Sequence, residues 1–216
     1  MLSDNRSETV DVIHNLRQQA EHREGVPNRS LGDFVAPHDA GRQDWAGAFA
    51  VTAGLGSSEK VEQFKAEHDD YSAIMIEAVA DRLAESFAEW LHKYVRTTLW
   101  GYVPDEALDN EALIGEKYKG IRPAPGYPAC PEHSQKETIW RLLDVNENTG
   151  IVLTDGYAMW PGAAVSGFYF SHPESRYFVL GRVAKDQVRD YANRVGWTLE
   201  EAERWIGPNL GYEPGE

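Results

Sequence analysis

Residues 151–183 of the sequence are IVLTDGYAMWPGAAVSGFYFSHPESRYFVLGRV. Short apolar segments alternate here as β-strands do, and turn residues separate them. We predict strands over residues 151–153, 157–159, 165–170 and 177–183. Strands this short and closely spaced are typical of hairpins, so the stretch indicates an antiparallel sheet.

Helical patterns precede and follow this stretch. Residues 58–100 repeat apolar side chains mostly at three and four residues, and their length predicts two helices broken near residues 68–70. Because alternating βαβ units are missing, the order of elements predicts an α+β fold with a mostly antiparallel sheet flanked by helices. The other predicted elements are a helix from Ser7 to about residue 23, strands at residues 34–35 and 45–52, a short helix capped by Asp109, and helices over residues 132–143, 185–195 and 198–206.

Composition excludes several classes of function. The chain has 216 residues and a net charge of −14, which disfavours binding to nucleic acid or to anionic membranes. The acidity is equally consistent with solubility alone and with an acidic docking surface. Cys130 is the single cysteine, so no intramolecular disulfide can form, and no metal-ligand spacing occurs. No apolar stretch is long enough to span a membrane, and residues 1–10 lack the apolar run of a secretory signal, so we expect a cytoplasmic protein.

The segment RPAPGY, residues 122–127, carries the most chemical information. Its prolines restrict the backbone, and Gly126 permits a positive φ or the close approach of a ligand. Arg122 can bind a carboxylate in a bidentate geometry, and Tyr127 offers a flat face and a hydroxyl. These groups suit an amino acid attached to a purine, although a rigid turn that packs helix on sheet explains the same residues. No GxSxG, GxGxxG or GxxxxGK[ST] pattern is present, and we predict no catalytic side chain.

Longer motifs extend this segment into a family resemblance. The sequence resembles the activation domain of cobalamin-dependent methionine synthase, and several motifs in register are far more specific than a single short pattern. The motifs are RPAPGYPACPEH (residues 122–133), AMWPGAAVSGFYFSHPES (158–175), RWIGPNLGY (204–212), LRQQ (16–19), DFVAP (33–37), GAFAVT (47–52), HDDY (68–71) and ADRLAESFAEWLH (80–92).

The resemblance implies a single C-shaped α+β domain with a twisted antiparallel sheet, in which S-adenosylmethionine (AdoMet) lies in a shallow groove. Arg122 would bind the methionine carboxylate, Ala124 and Gly126 would offer backbone contacts to the nucleoside, and Tyr127 would lie where methyl meets cobalt. The family has a pair of tyrosines near the ligand. This chain has Tyr177 and Phe178 at these positions, so one of the two hydroxyls is missing, and Phe178 either stacks on the ligand or packs in the core. We expect the following residues to bind AdoMet: Arg122, Ala124, Gly126, Tyr127, Tyr177, Phe178, Glu85 and Glu116.

Two acidic residues on one predicted helix are assigned different roles. Asp81 and Glu85 lie four residues apart, on the same helix face. By resemblance, Asp81 would contact the cobalamin domain by holding a histidine ligand displaced from cobalt, although a solvated acidic pair is the simpler explanation. Glu116 either reaches the ribose or amine of AdoMet or is a surface residue.

The resemblance implies a role in reactivation. The chain would bind AdoMet while cob(II)alamin, held by a partner domain, receives an electron from a flavodoxin-like reductant and a methyl group from AdoMet. Family domains begin with a further segment, which contains a Trp-x-Pro-Phe-Phe motif, so we expect residues 1–216 to form one activation-like domain without it. The alternative is a non-catalytic module that docks on a cobalamin-binding domain without binding AdoMet. In neither case is the chain a complete methionine synthase.

Overall fold

The strands pair into two small antiparallel sheets in the computed structural model, which describes residues 8–215. Strand β1 (Ala46–Thr52) pairs with β4 (Ala164–Phe170), and β2 (Val152–Leu153) pairs with β3 (Met159–Trp160). In the longer pair, Ala46 lies opposite Phe170 and Thr52 lies opposite Ala164. The predicted α+β class and the antiparallel pairing are confirmed.

The long helical region contains two helices, as predicted. Helix α1 spans Ser57–Ala66 and α2 spans Asp70–Tyr94, and a π-helical turn follows at Val95–Leu99. The break has a local cause, because His68 adopts a left-handed φ of 61° and the Asp69 carboxylate accepts a hydrogen bond from the Ser72 N–H. A cap thus starts α2 where the polar residues interrupt the apolar pattern.

The predicted helices that follow α2 are present, and one additional short helix, Val145–Thr149, was not predicted from the sequence. Asp109 caps α3, and the Thr198–Glu201 capping box starts α7. The proline-rich residues 122–131 contain no helix and no long strand, as expected. The helices are α3 (Asn110–Ile114), α4 (Lys136–Leu143), α5 (Val145–Thr149), α6 (Lys185–Val195) and α7 (Leu199–Ile206), and a 3-10 turn (His133–Gln135) precedes α4.

The predicted first helix is wrong. Ser7 lies outside the described residues, and residues 8–23 contain no helix. The helical spacing does not correspond to one buried face, since Val10 is 57% exposed while Leu16 is 5% exposed. Backbone N–H groups of this segment instead donate to distant side chains, His14 to Gln135 and Arg17 to Gln187. Tertiary hydrogen bonds therefore satisfy the backbone that a helix would have satisfied.

Two predicted strands are also wrong. Residues 34–35 lie at the end of a 3-10 helix, Leu31–Phe34, rather than in a strand. Residues 177–183 pair with no strand apart from an isolated bridge between Val183 and Leu210. The Leu180 N–H donates to the carbonyl of Pro128, so this segment is bound to the proline-rich loop. That attachment replaces the sheet pairing that alternation alone had suggested.

Helix α2 connects the larger sheet to the region where the predicted site residues lie. Apart from His92, the buried residues of α2 are alanines: Ala80 and Ala84 pack with Ala163, and Ala88 packs with residues of β1 and β4. Small side chains let the helix axis approach the sheet closely. A separate core lies at the C-terminal end, where α6 and α7 pack with Leu16.

Candidate functional site

A cavity of about 440 Å³ lies between α2 and the proline-rich loop. Its volume is within the usual range for small-molecule sites. The structure brings together seven of the eight residues that we assigned to AdoMet binding, although the ligand atom that each would contact stays a prediction. The seven are Glu85, Glu116, Arg122, Ala124, Tyr127, Tyr177 and Phe178.

Gly126, the eighth residue, shapes the loop behind the cavity. Its φ is 96°, and a Cβ at this position would collide with the imidazole of His133. The Gly126 N–H donates to the Cys130 carbonyl at 2.8 Å. The Phe168 N–H of β4 donates to the Pro123 carbonyl at 2.9 Å, which attaches the loop to the sheet. The loop is therefore held in one shape before any ligand binds.

Arg122 is held by residues that sequence reasoning missed. Its guanidinium donates from Nη2 to Glu89 Oε2 at 2.6 Å, and from Nη1 to the Tyr118 hydroxyl at 2.9 Å and to His92 Nδ1 at 3.3 Å. Its backbone N–H donates to the Tyr177 hydroxyl at 3.0 Å. One signal was available in the sequence, because residues 85, 89 and 92 are spaced for a single helix face.

Burial sets the protonation states around this arginine. Desolvation, followed by the charges of Arg96 and Arg122, lowers the pKa of His92 to about 2. His92 is therefore neutral at pH 7 and its Nδ1 can accept from Arg122. Burial works to lower the pKa of Arg122, but Tyr118, Tyr177 and Glu89 outweigh it, so the pKa is raised. Burial also raises the pKa of Tyr118, which keeps its hydroxyl protonated.

The guanidinium of Arg122 retains donors for a ligand. An arginine has five N–H groups, and Glu89, Tyr118 and His92 take three of them. Among the described residues, no acceptor bonds to Nε or to the second hydrogen of Nη2. Arg96 uses the same two nitrogens to bind both carboxylate oxygens of Glu106, each at 2.7 Å. Arg122 therefore retains N–H donors for a carboxylate from the cavity.

The other predicted residues differ in burial. Phe178 lines the cavity and also packs against the core cluster that contains Phe168 and Phe170, so its core packing is observed and its stacking on a ligand stays a prediction. Glu116 is exposed, adopts a left-handed φ of 52° and lines the cavity. Tyr127 is 60% exposed, which leaves its ring available to a large partner. The cavity thus combines one cation, exposed carboxylates and aromatic faces.

Asp81 lies apart from the ligand-binding set. It lines a second hollow of about 340 Å³, together with Trp160 and the start of α1. Asp81 precedes Glu85 by one helical turn, so the two hollows lie along the same helix.

Across residues 8–215, no three His, Cys, Asp or Glu side chains cluster as a metal site would. No helix within the same residues is long and apolar enough to cross a membrane.

Comparison with known proteins identifies a matching family and similar solved structures. The family described as the activation domain of vitamin B12 dependent methionine synthase matches residues 1–196. A crystal structure of the MetH reactivation domain bound to AdoHcy is similar over 98% of this chain, with 56% sequence identity and a TM-score of 0.95. This chain spans 65% of the length of that chain.

Proposed function

The chain belongs to the activation-domain family of vitamin B12 dependent methionine synthase, and from this membership we propose that it binds AdoMet and supports the reductive methylation of cob(II)alamin. The observation that carries the proposal is the cavity in which Arg122 presents free N–H groups beside Tyr127, Glu85 and Glu116. A longer relative of the same fold binds AdoHcy, the demethylated form of AdoMet.

The lining residues match the chemical groups of AdoMet. The free Nε and Nη2 donors of Arg122 suit its carboxylate. Glu85 and Glu116 suit its cationic amine and sulfonium or its ribose hydroxyls. The backbone of Ala124 can contact the nucleoside, and Tyr177 and Phe178 offer ring faces. Gly126 would act through the shape that it gives the loop behind the cavity. The residues present therefore fit this ligand.

The work of this chain is to bind and orient the ligand. When bound, AdoMet supplies a methyl group on a positively charged sulfonium, which is activated without a side-chain base or nucleophile. Arg122 would fix the amino-acid end, and the rigid loop would fix the nucleoside end. Tyr127, which is largely exposed, would face the incoming cobalamin.

The partners belong to the same proposal. Cobalamin would be held by a partner domain that docks beside Tyr127 and places its displaced histidine near Asp81. A flavodoxin-like reductant would supply the electron. The net charge of −14 favours association with basic surfaces on either partner.

Isothermal titration with AdoMet tests the proposal. We expect saturable binding by the wild-type chain and a loss of at least about tenfold in affinity for Arg122→Ala, because a charged hydrogen-bonded pair is removed. The matched control is Arg194→Ala, which removes an arginine that forms a surface ion pair with Asp190. No binding by the folded wild-type chain would contradict AdoMet binding and favour the interaction module, which should co-elute with a cobalamin-binding domain without AdoMet.

A further inference from the structure

Glu89 lies next to the proposed ligand site but does not line the cavity. It follows Glu85 by one turn of α2, and its side chain is 30% exposed. Its Oε2 accepts from Arg122 Nη2 at 2.6 Å. Its Oε1 is inaccessible to water and has no hydrogen-bond partner among the described residues. Among residues 8–215, Arg122 is thus the only hydrogen-bond partner of this carboxylate.

Glu89 differs from the other groups that contact the guanidinium. Tyr118 and His92 are both neutral, because burial raises the pKa of the phenol and lowers that of the imidazole. Within residues 8–215, Glu89 is the only carboxylate in an ion pair with Arg122. The orientation of the cation therefore depends on one anionic contact, which is stronger and more directional than the neutral ones.

The hydrogen bonds determine which donors face the ligand. With Nη1 directed at Tyr118 and His92 and one Nη2 hydrogen directed at Glu89, the guanidinium cannot rotate without losing a charged contact. We propose that Glu89 is a positioning residue, which holds Arg122 so that its Nε–H and remaining Nη2–H meet the ligand carboxylate. This inference rests on the proposed function, since it concerns the same site.

The number of guanidinium donors and the burial of Arg122 favour a role in which Glu89 supports ligand binding over one in which it competes with the ligand. A guanidinium has five N–H donors, which is enough for two carboxylates, and Glu89 accepts from one of these donors. Arg122 is only 20% exposed, so removal of Glu89 would leave a partly buried cation with neutral partners alone. Without Glu89, we expect the Arg122 guanidinium to hydrogen-bond with water or with another acceptor. Ligand binding would then require Arg122 to return to its present orientation, which weakens the affinity.

Calorimetry with two ligands separates positioning from a general effect on the fold. Glu89→Ala should weaken AdoMet binding about tenfold, because the Arg122 contact is lost or must be rebuilt. Affinity for 5′-methylthioadenosine, which has no carboxylate, should change by less than about twofold. In an Arg122→Ala background, Glu89→Ala should have no further effect on AdoMet. Stronger or unchanged AdoMet binding by Glu89→Ala would overturn the inference, as would an equal loss for both ligands.

Control variants address folding and charge. Glu89→Gln keeps the shape of the side chain and should weaken AdoMet binding less than Glu89→Ala, since an amide oxygen can still accept from Nη2. Glu77→Gln removes the same charge from the same helix, about 18 Å along its axis, and should leave both affinities unchanged.

A second readout does not require AdoMet. In ¹⁵N-resolved proton spectra, the Arg122 Nε–H should give a sharp signal in the wild-type chain and in Glu77→Gln, and a broad or absent one in Glu89→Ala. If the wild-type chain binds no AdoMet, the proposed function fails, yet this difference would still support the positioning of Arg122. A signal of equal sharpness in all three proteins would refute the positioning role.

Discussion

At the scale of single residues, a buried polar cluster lies beneath the proposed ligand site. His92 and Arg96 have no exposed surface, and Arg96 forms an ion pair with Glu106, whose side chain is 3% exposed. The Arg96 guanidinium lies 4.2 Å from the ring centre of Tyr118, which in turn accepts from Arg122. Such a cluster is costly to bury, and its hydrogen bonds orient the groups that face the cavity.

This cluster predicts a pH dependence of folding. The pKa of His92 is about 2 in the folded chain and about 6.5 in an unfolded one, so below pH 6.5 the unfolded chain binds a proton that the folded chain does not. The contribution of His92 to stability is therefore fully present above pH 6.5 and is lost as the pH falls towards 2. At pH 5 the loss from this group is about 2 kcal/mol.

Urea unfolding at pH 7.5 and pH 5.0 measures this contribution. His92→Gln has no imidazole to protonate at this position. Between the two pH values, its free energy of unfolding should therefore fall by about 2 kcal/mol less than that of the wild-type chain. If the free energy of unfolding falls equally in the two proteins, His92 does not cause the pH dependence.

At the scale of elements, α2 determines where the site carboxylates lie. The helix buries alanines against the sheet and exposes larger apolar side chains, such as Leu83 (56% exposed) and Trp90 (57% exposed). The apolar spacing correctly predicted a helix, but side-chain size did not indicate the buried face. Because the alanine face is close to the sheet, Glu85 and Glu89 are brought beside the proline-rich loop.

Substitutions at two adjacent residues of α2 should change the free energy of unfolding by different amounts. Ala84 is 1% exposed, and Ala84→Leu should lower the free energy of unfolding by roughly 1–3 kcal/mol, because the larger side chain has no space against the sheet. Leu83→Ala removes a mostly exposed side chain and should change it by less than about 1 kcal/mol. Chemical denaturation of both variants gives the comparison, and a greater loss for Leu83→Ala would mean that the buried face is assigned wrongly.

At the scale of the whole molecule, buried contacts connect the C-terminal core with the main core, which contains Ile139 of α4 and Phe168 of β4. The hydroxyl of Tyr191, on α6, donates to Glu132 Oε2 at 3.0 Å and accepts from Gln135 Nε2 at 3.2 Å. Residues 8–23 run between these regions, with Leu16 in the C-terminal core and the His14 N–H bonded to Gln135. These contacts agree with the predicted single domain over residues 1–216, which stays a prediction.

Equilibrium unfolding tests that prediction. We expect one cooperative transition, because neither core can separate without breaking buried hydrogen bonds to Tyr191. Helical circular dichroism and tryptophan fluorescence should then give the same urea midpoint. Two separate midpoints would indicate independent domains.

The sequence by itself determined the α+β class, most helices and the rigid loop, because caps, prolines and glycines act within a few residues. Its motifs also indicated the family and seven of the residues that line the cavity. Only the tertiary structure decided that residues 8–23 contain no helix and that Arg122 pairs with Glu89, 33 positions away. The reason is physical: a backbone N–H or a buried charge takes the best partner available in space, and local sequence spacing does not contain that information.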